Sequence, residues 1–196
     1  MKTPNSLLIS FLMFATFSSS SITTQAEVIT FDDLPAPYAP IPNDYAGLQW
    51  QNFWYIDTNN ISPSGYRNGA VSPKNVAYDF GAGTAVLSGP LFNMNSGYVT
   101  AAWNDGLQIE VQGFTDHILI YDNFYTVNTT SPILINFNFL AVDQVSFTPS
   151  GGIPHSGDFG EMFVLDNLSV TVVPEPSIFA MFGISTAFLL IIRRSQ

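Results

Sequence analysis

Two pairs of oxygen-bearing side chains stand near opposite ends of the chain, and their chemistry is that of a calcium site. Asp32 and Asp33 follow the first predicted strand, while Asp166 and Asn167 begin the last one. Calcium takes about six to eight oxygen ligands from carboxylates, amides and backbone carbonyls. Because the first and last strands of an antiparallel sandwich often lie side by side, we expect the two pairs to meet around one calcium ion. The alternative is that Asp and Asn only shape turns at the strand ends.

An aromatic-rich segment predicts a platform for carbohydrate. Trp50 and Trp54 share one face of a strand predicted over residues 47–57, whereas Phe53 and Tyr55 share the other. Because both faces carry rings, we expect one set to lie outside the core, where indoles and neighbouring amides suit stacking on sugars. The alternative is that loops cover both faces. The residues predicted to bind carbohydrate are Trp50, Trp54, Tyr66 and Trp103.

The titratable residues form no recognisable catalytic motif. His117 and His155 are the only histidines, and a zinc site needs about three or four nitrogen or sulfur ligands. A glycosidase needs two carboxyl groups about 5–10 Å apart, for which Glu110 and Glu161 are the candidates. Glu110 is equally well explained as a polar residue on the wet face of a strand. We therefore predict a protein without catalytic activity, with an exported hydrolase as an alternative.

Charge and cysteine content narrow the class of partner. Fourteen of the 15 acidic residues lie within residues 27–173, where Arg67 and Lys74 are the only basic ones. So acidic a surface repels nucleic-acid phosphates, which excludes nucleic acid as a partner. The chain has no cysteine, so packing, helped by a bound ion, must stabilise an exported domain without disulfides.

Short strands separated by turn residues must position these side chains. Apolar and polar residues alternate strictly over residues 107–112, which predicts a strand with one buried face. The Asn-Asp-Gly tripeptide at 104–106 is a tight-turn signal and predicts a hairpin between the strands on either side. About ten such strands predict a single all-β domain over residues 27–173, an antiparallel β-sandwich of jelly-roll type.

Residues 1–26 have the layout of a secretory signal peptide. Lys2 precedes an apolar stretch over residues 7–17, and small polar residues follow up to Ala26. The apolar stretch is too short to span a bilayer, and the tripeptide that ends at Ala26 is a small-x-small cleavage site. We expect an exported protein whose mature chain starts at Glu27 and whose signal helix is not part of the fold.

Residues 174–196 combine an extended motif, an apolar run over residues 178–192 and a basic stop. Proline fixes φ and lacks an amide donor, so the motif stays extended, while arginines hold the end of a membrane span on the cytoplasmic side. The motif and the stop consist of Pro174, Glu175, Pro176, Arg193 and Arg194. This tail resembles the PEP-CTERM sorting signal of exported bacterial proteins, which the membrane enzyme exosortase processes.

The resemblance to PEP-CTERM proteins implies an itinerary. The exported chain is held transiently in the inner membrane by a transmembrane helix, processed by exosortase, and delivered to the cell surface or extracellular matrix. The apolar run is shorter than the about 17–25 residues of a stable crossing, which favours a transient hold over the alternative of a permanent anchor. The family is associated with bacteria that make exopolysaccharide, which implies exopolysaccharide as a partner.

The body resembles jelly-roll carbohydrate-binding modules in two short motifs. Such modules carry an acidic residue just after an N-terminal Phe, as Phe31 and Asp32 do here, and a hydrophobic-Asp-Asp/Asn motif near the end, as at residues 165–167. The resemblance implies a structural calcium ion. Three functions remain: a non-catalytic surface or matrix protein, a calcium-braced carbohydrate-binding module, and an exported glycoside hydrolase. The first function is preferred because it requires neither a catalytic pair nor a specific ligand site in the sequence.

Overall fold

A computed structural model of the protein describes residues 25–35, 37–155 and 160–174. Within these ranges the chain is mostly extended, with one short helix, α1 (Gly65–Asn68), and three 3-10 turns. The strands of the described ranges are β1 (Glu27–Ile29), β2 (Tyr38–Pro40), β3 (Gln49–Gln51), β4 (Phe53–Asp57), β5 (Asn75–Asp79), β6 (Ala85–Ala101), β7 (Asn104–Asp105), β8 (Leu107–Thr115), β9 (Ile118–Val127), β10 (Ile133–Ser150), β11 (Ile153–Pro154) and β12 (Phe163–Val172). None of the described helices is long and apolar enough to cross a membrane. Nearly all of the predicted signal peptide and nearly all of the predicted sorting tail lie outside the described residues.

Ten of the described strands form one antiparallel sheet. Its order is β2-β4-β5-β12-β6-β10-β8-β9, with β1 added beside β12 and β3 beside β6. The long strand β6 serves two groups of partners, because its first part pairs with β3 and its second part with β12. β10 runs beside β6 and adds β8 along its second part; its bulged middle contains Asn138 and Ala141 at left-handed φ values of 53° and 51°.

The sheet bends over on itself, and the hydrophobic core lies between its two halves. Phe137 and Phe147 belong to the same strand, β10, yet their rings meet edge-on with centroids 6.1 Å apart. The strand therefore bends across the core. Phe53 on β4 meets Phe147 at 5.8 Å and Phe163 on β12 at 6.0 Å, so one ring joins the two halves of the sheet. The predicted all-β sandwich is confirmed.

Two local predictions are also confirmed. The alternation over residues 107–112 corresponds to β8, in which Ile109 and Val111 are buried and Gln108 is exposed. The first and last strands of the body do lie side by side, since β1 pairs with β12 and places Ile29 opposite Leu168.

The hairpin predicted around residues 104–106 is wrong. Gly106 has the expected left-handed φ of 73°. The strands on either side nevertheless do not pair with each other, because β8 pairs with β10 and β9. Asn104 and Asp105 form β7, which pairs with the short strand β11. The turn therefore redirects the chain to another part of the sheet instead of closing a hairpin.

The single strand predicted over residues 47–57 is wrong as well. Asn52 adopts a left-handed φ of 59° and separates β3 from β4. This residue shifts the alternation, so Trp50, Phe53 and Tyr55 all enter the core, at 4%, 1% and 3% exposure. Of the four rings in this segment, Trp54 alone lies on the outer side.

Candidate functional site

A cleft of about 450 Å³ opens at the end of the sandwich where β6 stops. Its walls come from α1 and from the segments that follow β6, β9 and β11. The lining residues are Pro63, Ser64, Gly65, Asn68, Ala102, Trp103, Thr129, Thr130 and His155. The volume falls within the about 300–1,000 Å³ that is typical of small-ligand sites.

The cleft depends on a close approach between α1 and the end of β6. The Gly65 amide donates to the Ala102 carbonyl at 3.0 Å. A Cβ atom at position 65 would lie 1.7 Å from the Ala101 carbonyl oxygen, so a side chain does not fit there. The Asn68 side-chain amide donates to the Thr129 carbonyl at 2.8 Å and ties α1 to the segment after β9. Two walls of the cleft are therefore joined directly.

Trp103 supplies the aromatic wall. The side chain is half-buried, and the Tyr66 ring meets it edge-on with centroids 5.5 Å apart. Tyr66 is itself 4% exposed and meets Tyr78 edge-on at 5.2 Å. Burial raises the pKa of the Tyr66 hydroxyl, and the nearby Asp79 carboxylate adds to the rise, so Tyr66 stays neutral. Packed rings thus support the Trp103 indole from behind, which limits its freedom before a ligand arrives.

A contact between a histidine and an aspartate borders the cleft. His155 Nε2 lies 2.7 Å from Asp105 Oδ2, and both side chains remain partly exposed, at 59% and 37%. Asp105 Oδ1 accepts hydrogen bonds from the amide and the hydroxyl of Thr129, both at 2.8 Å. These bonds, with a smaller contribution from His155, lower the pKa of Asp105. The pair fixes His155 beside Thr129 and leaves part of the imidazole open to solvent.

This set of groups suits recognition of a neutral, hydroxyl-rich ligand. An indole offers an apolar face, while an amide, hydroxyls and an imidazole offer directional hydrogen bonds. Sites for small ligands combine apolar walls with a few such polar groups in this way.

The structure brings together two of the four aromatic residues predicted to bind carbohydrate. Trp103 lines the cleft, and Tyr66 supports it from behind. Trp50 is a core residue, so its predicted place on an exposed platform is wrong, because the shift at Asn52 turns it inward. Trp54 lies apart from the cleft lining and stacks on Phe80 with centroids 4.4 Å apart.

Sequence reasoning did not identify the polar side of the cleft. Asn68, Thr129 and His155 come from three separate segments, and no spacing in the chain relates them. His155 stays largely exposed, and its Nε2 lies 2.7 Å from Asp105 Oδ2. The glycine- and proline-rich sequence of residues 151–155 was the one available signal of an ordered turn.

Asp166, predicted to bind calcium, is bonded to the loop before β5. Its Oδ2 accepts from the amides of Val71 and Ser72 at 2.6 and 2.9 Å. Its Oδ1 accepts from the amide of Asn167 at 2.7 Å and from the Ser72 hydroxyl at 3.2 Å. Burial raises the pKa of Asp166 in spite of these bonds. Asn167 occupies a bulge with φ of 48°, and its Oδ1 has no hydrogen-bond partner in the described part of the chain.

Asp32 and Asp33 are bonded in a similar way. Asp32 Oδ1 accepts from the Asn75 amide at 3.0 Å, and Asp33 Oδ1 accepts from the Tyr45 hydroxyl at 2.7 Å. Across the described ranges no three Asp, Glu, His or Cys side chains are grouped closely enough to hold a metal ion. The two acidic pairs each have local hydrogen-bond partners, and a calcium ion shared between them would need amide and backbone carbonyl oxygens as further ligands. Calcium binding itself stays a prediction.

The two glutamates considered for glycoside hydrolysis have separate local partners. Glu110 is half-buried on β8 and accepts a hydrogen bond from the Gln112 side chain at 3.2 Å. Glu161 accepts from the Gly151 amide at 2.8 Å. Neither residue lines the cleft.

Comparisons with known proteins show the fold and no more. No family model matches this chain, and no curated protein matches it. It is similar to a DUF4465 family protein from Bacteroides ovatus, with a TM-score of 0.50 and 10% identity over 76% of this chain and 99% of that one. It also shows a similarity to TmCBM61, solved in complex with β-1,4-galactotriose, with a TM-score of 0.33 and 7% identity over 69% of this chain and 88% of that one. The first likeness supports a shared β-sandwich, and the second is too weak for a structural inference.

Proposed function

We propose that the protein is an exported, non-catalytic surface or matrix protein that binds carbohydrate in the cleft beside Trp103. The observation that supports this best is the meeting of a half-buried indole with an amide, hydroxyls and an imidazole in one cleft. A sugar ring has an apolar face that stacks on an indole and hydroxyls that pair with the polar groups. Export, predicted from the signal peptide, brings the cleft to extracellular polysaccharide.

Binding without hydrolysis is favoured by the chemistry of the described lining. Those residues include no Asp or Glu, and Asp105 at the border is occupied by Thr129 and His155. A glycosidase needs an acid and a second carboxylate on either side of the scissile bond. The described lining supplies no such pair.

The cleft is tested by replacing Trp103 with Ala and measuring binding on a polysaccharide array, followed by calorimetric titration of the best glycan. Loss of about 60 Å² of apolar contact costs about 1.5 kcal/mol. We therefore expect the affinity of Trp103→Ala to fall about tenfold or more.

The matched control is Trp54→Ala, which removes a half-buried indole away from the cleft lining and is expected to bind as the wild type does. Equal affinity of Trp103→Ala and wild type would refute binding at this cleft.

Each titration is run in calcium and in chelator, because the proposal includes a calcium ion near Asp32, Asp33, Asp166 and Asn167. Identical binding and melting in both conditions would remove the ion from the account.

The sorting part of the proposal assigns residues 174–196 to processing by exosortase. We expect intact-mass measurement of the surface or extracellular form, purified from a host that has exosortase, to show a chain lacking this tail. Replacing Arg193 and Arg194 by Ala is expected to weaken retention in the inner membrane before processing, because the basic stop is lost. A mature chain that still ends at Gln196 would contradict the assignment.

A further inference from the structure

The tail leaves the sandwich at the end opposite to the cleft. β12 starts with Phe163 across from Ala101, next to the cleft, and finishes with Val172 across from Phe92. Strand residues advance about 3.3 Å each, so the two ends of β12 lie about 30 Å apart. Pro174 is the last described residue, and the predicted membrane segment follows it in sequence.

Exposed apolar side chains surround this exit. Neighbouring strands are joined there by hydrogen bonds, from the Val173 amide to the Leu91 carbonyl of β6 at 2.8 Å and from the Thr115 hydroxyl to the Ala141 carbonyl of β10 at 2.7 Å. β12, β6 and β10 and the start of β9 thus contribute to one surface, here called the exit rim. Its apolar side chains, with their exposed fractions, are Leu91 36%, Ile118 63%, Leu119 47%, Leu140 60% and Val172 43%.

The chain between Pro174 and the predicted membrane segment is short, which keeps this surface near the bilayer. The apolar run begins at residue 178, four residues after Pro174. At about 3.5 Å per residue, the intervening segment spans at most about 14 Å. Whenever the run is inserted in a bilayer, Pro174, which follows Val172 of the exit rim, is therefore held within about 14 Å of the membrane interface.

Charge beside the rim favours a lipid surface over a second copy of the chain. Asp116 and Asp143 are neighbours there, since the Asp116 amide lies 2.7 Å from Asp143 Oδ2. A second copy packed on the same rim would place these carboxylates near their equivalents, which repel them. A zwitterionic headgroup layer instead presents ammonium groups to the carboxylates and an apolar layer to the leucines.

We propose that the exit rim rests on a zwitterionic lipid surface while the tail is inserted, so that the cleft points away from the membrane. This inference rests on the proposed sorting tail. The contact orients the body, because tail and rim together fix one end of the sandwich to the bilayer. The cleft then faces the surrounding polysaccharide before processing.

Because the chain has no native cysteine, a single introduced cysteine can be labelled at one chosen position. Leu140→Cys and, separately, Leu119→Cys are labelled with an environment-sensitive fluorophore in the tail-bearing chain, which is reconstituted into phosphatidylcholine vesicles. The matched control is Ile153→Cys, because Ile153 is 76% exposed on β11 beside the cleft. With nitroxide-labelled lipid present, we expect loss of fluorescence at positions 140 and 119 and none at 153.

Flotation of the vesicles distinguishes the contact between rim and lipid from the membrane insertion of the tail, on which that contact depends. If the chain floats with the vesicles but positions 140, 119 and 153 respond alike, the tail inserts and the rim contact is wrong. If the chain does not float, the membrane role of the tail is wrong and the inference fails with it. Disulfide-linked dimers of the unlabelled Leu140→Cys variant, without quenching of the labelled one by lipid, would show that a second copy covers the rim and would also overturn the inference.

Discussion

Replacing Asp79 by Asn is expected to remove a loss of stability that the wild-type protein undergoes as the pH rises. Asp79 ends β5 and is fully buried; its Oδ1 accepts from the Phe163 amide at 2.6 Å, and its Oδ2 has no hydrogen-bond partner among the described residues. Burial raises the pKa of Asp79 from 3.8 to about 8. The carboxyl therefore stays protonated in the folded protein at a pH where the unfolded chain has released the proton.

The sign and size of the effect follow from linkage. Between pH 3.8 and about 8 the folded state binds the extra proton. The free energy of unfolding therefore falls by about 1.4 kcal/mol for each pH unit, in total on the order of 5 kcal/mol. The stabilisation by this bound proton is complete below pH 3.8 and is lost above about pH 8. Asn has no proton to release, so the difference in stability between Asp79→Asn and wild type should grow with pH in favour of the variant.

Urea unfolding of both proteins across this pH range measures the difference. Asp122→Asn, on the exposed outer strand β9, removes one carboxyl as well and controls for the change in net charge. Wild type and Asp79→Asn with parallel pH profiles would mean that Asp79 is already ionised in the folded protein.

Phe53→Ala is expected to destabilise the protein by about 3–5 kcal/mol, the usual cost of truncating a buried aromatic ring. Phe53 is 1% exposed and meets Trp50, Phe147 and Phe163 edge-on at 5.3, 5.8 and 6.0 Å. These partners belong to three other strands, so the cavity would open where the two halves of the sheet meet.

The neighbouring residue provides the control. Trp54→Ala removes a larger side chain, but Trp54 is only half-buried and packs on the exposed ring of Phe80. We expect it to cost clearly less than Phe53→Ala in urea unfolding with equal m-values. A larger loss from Trp54→Ala would place the core on the other side of β4.

The sequence predicted the class of fold because alternation is a local property. In β8, Ile109 and Val111 are buried and Gln108 is exposed, as the period-two pattern requires. The pairing of β1 with β12 was also predicted, from a general tendency of antiparallel sandwiches.

The wrong strand and hairpin predictions have two physical causes. One is a residue with a left-handed backbone, and the other is strand pairing between segments that are distant in sequence. Asn52 shifts the alternation between β3 and β4, and only its tolerance of positive φ marks it in the sequence. Gly106 makes the expected turn, but the partners of β8 were decided by strands distant in sequence. β6 runs through Gly89 and Pro90, two residue types that usually interrupt strands, so its length of 17 residues is not evident from the sequence.

The cleft was beyond sequence reasoning for the same reason. Trp103 was predicted as a ligand-binding residue from its type alone. The groups around it, Asn68, Thr129 and His155, become neighbours only when α1 and two loops meet at one end of the sheet. The calcium prediction placed the strand ends correctly but did not anticipate that the amides of Val71 and Ser72 would bond to Asp166.

Glycan binding beside Trp103 can be tested with this indole as its own fluorescent reporter. The chain has three tryptophans, so Trp50→Phe combined with Trp54→Phe leaves Trp103 as the only indole, with folding verified by circular dichroism. The glycan that binds best on the array is then titrated into this variant while tryptophan emission and its quenching by acrylamide are followed. If the glycan binds against Trp103, we expect a blue shift of the emission and weaker quenching by acrylamide, both saturating at the concentrations that the calorimetric affinity sets. Saturable binding of the glycan with unchanged Trp103 emission and quenching would contradict binding against Trp103.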